Sequence, residues 1–178
     1  MKISVLTTVF NRPEHLRLLV ATLAAQSRRP DELIVADDGS AAAAVDAMRA
    51  CLDNCGFATK LVRQDKGGGQ RSAARNLAIR ASSGDYLIFL DCDIGLLPGA
   101  LDVHVQSAAP RRLLCGNRAL LDEATTQALF QASPAPSAED WEQAWLLADR
   151  RAMEDAARLF QRHAALRRWH LARPHKPK

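Results

Sequence analysis

The sequence predicts an α/β domain, a mainly parallel sheet flanked by helices, with a long C-terminal helix after it. Three observations carry this. Four short apolar runs alternate with stretches of helical periodicity over the first hundred residues, and strands separated by helices pair in parallel. The last of these runs, Tyr86 to Leu90, is unbroken in apolar character, as an interior strand covered on both faces is. Turn residues punctuate the short connections between them.

Lys2 to Phe10 is rich in β-branched residues and reads as the first strand. Asn11 is expected to cap the next element, and Pro13 suits a first helical turn. Leu16, Leu19, Val20 and Leu23 recur at helical spacing, so Pro13 to about Gln26 is an amphipathic helix. Glu32 to Ala36 is a second strand, stopped at Asp37-Asp38-Gly39-Ser40. Ala41 to about Cys51 reads as helix, with Asn54 to Gly56 as its stop, and Thr59 to Gln64 is a third strand candidate. After the loop Gly67-Gly68-Gly69 comes a helix from Gln70 to Ala81, with Ala73, Ala74, Leu77 and Ala78 on its buried side. Tyr86 to Leu90 is an unbroken apolar run that follows Ser-Ser-Gly and ends at an acid; it predicts a buried fourth strand. Pro98 to Gln106 is a short helix, and Leu113 to Cys115 a candidate fifth strand. A Pro-rich break, Ser133 to Pro136, divides residues 1–132 from 133–178. Ser137 with Asp140 resembles a capping box. From Glu139 to about Leu171 the pattern is helical without Gly or Pro, with Trp141, Trp145, Ala148, Ala152, Ala156, Leu159 and Phe160 on one stripe. Such a helix needs a packing partner, and a homo-oligomer through it is one expectation.

A chain of 178 residues is long enough for one α/β core, and its 48% apolar and 25% charged content is that of an ordinary globular protein. No apolar run approaches the roughly 18 residues that a membrane helix needs, and the first residues are too short and strand-like for a signal peptide. Cys51, Cys55, Cys92 and Cys115 have no zinc spacing and read as reduced thiols of a cytoplasmic protein. The net charge of +4 is unevenly placed. Seven bases and no acid follow from Arg158 onward, leaving 17 bases against 20 acids before it. The basicity belongs to the tail and does not argue for nucleic acid.

Four strand-end features carry chemistry. In open α/β sheets, ligands sit at the carboxyl ends of strands. The fourth strand delivers Asp91 and Asp93 there. Two carboxylates one residue apart repel each other, and a hard divalent cation, Mg²⁺ or Mn²⁺, satisfies both together with substrate phosphates. At the end of the first strand Phe10 is suited to stacking on a base and Arg12 to meeting phosphate. At the end of the second, Asp37-Asp38-Gly39-Ser40 could offer a carboxylate to the imide N–H of a uracil or the hydroxyls of a ribose, or simply a tight turn. Lys66-Gly67-Gly68-Gly69-Gln70-Arg71 opens the third helix, where glycines admit a close ligand and the helix start with Arg71 and Arg75 favours a diphosphate. The order G-x-G-x-x-G and a P-loop Gly-Lys-Ser/Thr are both missing from this run.

The succession Thr-Thr-Val-Phe-Asn-Arg-Pro (7–13), Glu-Leu-Ile-Val-Ala-Asp-Asp-Gly-Ser (32–40), Gly-Gly-Gly-Gln-Arg-Ser-Ala-Ala-Arg-Asn (67–76) and Gly-Asp-Tyr-Leu-Ile-Phe-Leu-Asp-Cys-Asp (84–93) resembles the nucleotide-binding half of family 2 glycosyltransferases, which have the GT-A fold. The resemblance covers about residues 1 to 117. It implies that Thr8, Phe10, Arg12 and Asp38, with Asp37 beside it, hold the nucleoside. Arg71 or Arg75 meets the diphosphate, Asp91 approaches the ribose or the metal, and Asp93 binds Mn²⁺ or Mg²⁺. It further implies an inverting, metal-dependent transfer from a nucleotide sugar, a UDP-sugar by expectation, to a glycan or lipid-linked acceptor in cell-surface polysaccharide synthesis, at the inner face of the membrane. The family's later Gly-Gly-Asn-like strand and Gly-x-Glu-Asp-like motif have no match here. The expectation is therefore that the acceptor half is truncated or replaced by the long helix. The catalytic base is unassigned, and Asp122 and Glu123 read as surface acids. A non-catalytic sugar-nucleotide-binding module is the alternative. A nucleotidyltransferase is disfavoured, because its Gly-rich basic loop should stand where Asn11-Arg12-Pro13 does.

Overall fold

The computed structural model describes residues 1–53, 55–65, 68–132 and 135–149, and of Ala138 the backbone alone. Four strands, β1 (Ile3–Val9), β2 (Glu32–Asp37), β3 (Ala58–Arg63) and β4 (Tyr86–Asp91), form one parallel sheet in the order β3-β2-β1-β4. The helices between them are α1 (Pro13–Ala24), α2 (Ala42–Leu52) and α3 (Arg71–Ala81), and α4 (Ala100–Ser107) follows β4. Periodicity places all eight to within three residues at either end.

Alternation along the central strands divides the core. Ile3, Val5 and Val9 of β1 with Leu33 and Val35 of β2 meet Leu16, Leu19 and Leu23 of α1, Val45 and Met48 of α2 and Leu101 of α4. The residues between them, Leu6, Ile34 and Ala36, meet Ala74 and Ala78 of α3. Small alanines let α3 lie close on the sheet, whereas the opposite layer is filled by branched side chains, each worth about 1.5–3 kcal/mol when fully buried. Pro13 opens α1 without a side-chain cap. Buried Gln26 ties the helices together, donating to the Leu97 carbonyl at 3.0 Å and accepting from the Leu101 amide at 3.4 Å.

The lower end of the sheet is pinned by a buried carboxylate. Glu32 accepts from Ser4 Oγ at 2.6 Å and from the Ser83 amide and hydroxyl at 2.6 and 2.9 Å, and Lys60 Nζ stands 3.4 Å away. Burial alone would raise its pKa. The hydrogen bonds from Ser4 and Ser83 and the contact with Lys60 outweigh that and hold it down to about 2. Gly84 closes the same corner. A Cβ there would stand 2.7 Å from the Ser4 amide nitrogen and 3.0 Å from the Lys2 carbonyl.

Three expectations are corrected. The fourth strand is not interior: among the described residues β4 pairs with β1 alone, and Phe89 is 49% exposed. Leu113 to Cys115 is not a strand, and Leu113 stands 86% exposed with no neighbouring strand among the described residues to complete it. The helix from Glu139 does not continue: α6 (Ala138–Leu147) ends and Asp149 pairs with Leu120 in an isolated antiparallel bridge, with amide-to-carbonyl bonds of 3.0 and 2.7 Å. The rest of the expected stripe, from Ala152, and the basic tail lie outside the described residues, as do Lys66, Gly67, Asn54 and the pair Ser133-Pro134.

A helix not anticipated from periodicity, α5 (Glu123–Gln131), precedes α6. The chain divides into two compact units. One comprises Met1–Leu114 with Leu129–Ser137; the other comprises Cys115–Ala128 and, among the described residues, 138–149. Within the first, the Arg17 guanidinium grips the end of α5, donating to the Phe130 carbonyl at 2.6 Å and the Ala132 carbonyl at 3.2 Å. A cation at a helix C-terminus complements its dipole. The ring of Phe130 meets His15 edge-on at 4.8 Å. No helix among the described residues is long and apolar enough to cross a membrane.

Candidate functional site

Parallel pairing sets the site in one row. Thr8 lies opposite Ala36 on one side and Asp91 on the other, and Asp37 lies opposite Val9 and Arg63. The ends of all four strands thus stand level, and the start of α3 rises beside them.

Asp91 and Asp93 emerge because the residue between them does not. Cys92 is buried in the core, and burial together with Asp93 pushes its thiol up to about 11, so it stays protonated. Both acids are half exposed, and each meets an arginine. Arg12 Nη1 is 3.3 Å from Asp93 Oδ2, and Arg75 Nη2 is 3.2 Å from Asp91 Oδ1. The structure therefore brings together the four groups expected to hold metal and diphosphate, from three separate elements. Arg71 is exposed at the first position of α3, where Gly69 to Ala73 line an open hollow of about 600 Å³.

The adjacent acids Asp37 and Asp38 are sorted by the pleat. Asp37 is fully buried. Its Oδ1 accepts from the Ser40 amide at 3.0 Å and from the Ser40 hydroxyl, and its Oδ2 is 3.2 Å from Arg63 Nη1, an ion pair without hydrogen-bond alignment. Asp37 holds the turn. Asp38 faces the glycine loop, accepting from the Gln70 amide at 3.0 Å and from Gln64 Nε2. Its own carbonyl accepts from the Gly68 amide at 2.6 Å. Gly68 adopts φ +72° and packs on the Phe10 ring: a Cβ would lie 3.0 Å from Phe10 Cζ. Phe10 is 43% exposed, so its ring still has open surface.

Five residues shape this rim to which the sequence assigned no ligand: Asn11, Ser40, Arg63, Gln64 and Gln70. Asn11 does not cap α1. It sits at φ +52°, its amide donates to Ser40 Oγ at 2.8 Å, and its Oδ1 accepts from the Ala41 amide at 2.8 Å, at the start of α2. The signal was present in its type, since Asn tolerates left-handed backbone and bonds nearby amides. Arg63 and Gln64 end β3 as Phe10 ends β1, and the same strand-end reasoning would have reached them. Asp122, weighed as a downstream acid, accepts from the Thr125 amide at 2.8 Å at the head of α5. That hydrogen bond, with one from the Thr125 hydroxyl, lowers its pKa. It is a helix cap.

The donor set fits a divalent cation of one kind. Two carboxylates from one strand end supply hard oxygen ligands, and among the described residues no group of three His, Cys, Asp or Glu could hold a metal alone. That is the pattern of Mg²⁺ or Mn²⁺ bound by one or two acids and completed by phosphate oxygens.

Comparison with known proteins places the chain in a family. The model of a family described as glycosyl transferase family 2 matches residues 4–160. The chain is 38% identical over 103 residues to the hyaluronan synthase of Pasteurella multocida, covering 57% of this chain and 10% of that protein. It is 33% identical over 122 residues to the chondroitin synthase of Escherichia coli, covering 63% and 18%. It thus spans less than a fifth of the length of either. Among solved structures, residues 1–349 of S. aureus TarS in complex with UDP-GlcNAc superpose with a TM-score of 0.53 at 24% identity, over 60% of this chain and 30% of that one. That likeness is one of fold.

Proposed function

From the premise that this chain belongs to glycosyl transferase family 2, we propose that it binds a nucleoside diphosphate sugar at the strand ends and transfers the sugar to a glycan acceptor. The observation that carries this is the gathering of Phe10, Asp38, Arg12, Arg75, Asp91 and Asp93 at one end of a parallel sheet, beside the start of α3. In this reading the open face of Phe10 stacks on the base, with Thr8 and Asp38 beside the nucleoside. Buried Asp37 supports it from below by fixing the turn. Arg12, Arg75 and Arg71, with the free amides of the α3 N-terminus, take the diphosphate. Asp91 and Asp93 hold Mg²⁺ or Mn²⁺, which when bound neutralises charge developing on the leaving diphosphate. A uridine base and inversion at the anomeric carbon follow the family resemblance, and a polysaccharide acceptor follows the names of the relatives.

Calorimetry with UDP, with Mn²⁺ and then with EDTA, tests the donor side. Binding is expected in both, tighter with Mn²⁺, and equal affinity in both would remove the metal from the reading. A second reading, a sugar-nucleotide-binding module without turnover, is favoured by Asp122, whose carboxylate is engaged as a helix cap and not held as a base. Product analysis with a panel of nucleotide sugars and glycan acceptors separates the two.

A further inference from the structure

The four charged groups at the strand ends are not poised separately. Each acid that would take the cation is closed by an arginine that would take the diphosphate, Asp93 by Arg12 at 3.3 Å and Asp91 by Arg75 at 3.2 Å. The pairs join elements far apart in sequence. Arg12 begins the turn into α1, Arg75 lies one turn inside α3, and both acids flank the end of β4. All four side chains are 44–54% exposed, so both pairs can open without disturbing the core.

We infer that these ion pairs are latches that couple cation binding to diphosphate binding. The inference rests on the nucleotide reading above and adds how the site is regulated. A guanidinium that faces a carboxylate directs donors to it and has its charge neutralised. With both latches shut the quartet has no net charge, and a diphosphate approaching it finds little attraction. A divalent cation that takes the Asp93 oxygen displaces Arg12, which then has its donors and full charge to offer phosphate. A diphosphate that draws Arg12 away leaves Asp93 open to the cation. Each ligand does work that the other needs, and the coupling is reciprocal.

The latch makes a prediction that a simple metal bridge does not. Opening it by mutation should improve binding in the absence of metal. In EDTA, Asp93→Asn is expected to bind inorganic pyrophosphate and UDP about 2- to 5-fold more tightly than the wild type, the range an exposed ion pair supports. The strengthening by Mn²⁺ should shrink in the same variant. Removing any nearby negative charge also favours an anion, so the decisive measurement is a double-mutant cycle with Arg12→Gln. If Arg12 is the latched group, the metal-free gain from Asp93→Asn disappears in the Arg12→Gln background. A gain of the same size in both backgrounds, or no gain in either, overturns the latch while leaving the nucleotide reading intact. A wild-type chain that binds neither pyrophosphate nor UDP, with Mn²⁺ or without, overturns the nucleotide reading and the latch with it. Thermal melting of all four proteins checks that each is folded.

Discussion

The two ends of the sheet hold carboxylates in opposite ways. At the lower end Glu32 is 3% exposed, takes three hydrogen bonds and faces Lys60. At the upper end Asp91 and Asp93 are half exposed, each with an arginine at just over 3 Å. The first arrangement cannot exchange partners without breaking the fold. The second can, because exposed ion pairs are worth only about 0–1 kcal/mol and water competes for every donor. Burial is what separates Glu32, which holds the sheet together, from Asp91 and Asp93, which stand open to a ligand.

The comparison is broken most severely by Glu32→Ala. It leaves the Ser83 amide and the Ser4 hydroxyl without their acceptor, and a loss of about 3 kcal/mol in unfolding free energy is expected by denaturant titration. Acid should reproduce this without mutation. The folded pKa of Glu32 is depressed from 4.5 to about 2. Its contribution is therefore fully present above the unfolded value and is lost as pH falls through the window from about 4.5 to 2. At roughly 1.4 kcal/mol per pKa unit, the loss approaches about 3 kcal/mol. Stability measured against pH should show that slope in the wild type and lack it in Glu32→Gln. Gly84→Ala comes next, at about 2 kcal/mol, since its Cβ meets backbone that cannot turn aside. At the upper end the effects change kind. Asp93→Asn should alter unfolding free energy by no more than about 0.5 kcal/mol, yet weaken UDP binding in Mn²⁺ by about 10-fold or more. Asp122→Asn should change neither, because Asn caps a helix as well as Asp does. Equal small effects from both would make Asp91-Cys92-Asp93 an ordinary strand end.

Most of the fold was legible because its strands and helices are written twice, in local preference and in burial. Ile3 to Val9 is rich in β-branched residues, Leu33 to Ala36 is apolar, and both runs are buried almost throughout. Leu113 to Cys115 has the same apolar look, but no strand of the described chain adjoins it. The pattern beyond Glu139 is helical in every local respect, yet α6 stops at Leu147 because Asp149 finds a backbone partner in Leu120, 29 residues away. Of the candidate site, the positions were legible and the pairings were not. Strand ends announce Phe10, Asp38 and Asp91 by chain order. That Arg12 meets Asp93 across 81 residues depends on β1 lying beside β4, an adjacency that local sequence does not encode. Likewise Asp37 and Asp38 are the same residue type in succession and both are buried, and only the fold decides that Asp37 bonds the Ser40 turn and Asp38 the glycine loop.

The hold of Arg17 on residues 129–132 has a consequence for how this chain can vary. The chain leaves the first unit after Leu114 and is back in it at Leu129, and the guanidinium fixes the point of return. The 14 residues between, Cys115–Ala128, are then an excursion with both ends tied. The entropy of closing such an excursion grows only with the logarithm of its length, so that doubling it costs about 0.6 kcal/mol. Segments of very different size can be inserted there while the strand ends keep their register. The strand ends and the excursion are free to change at different rates.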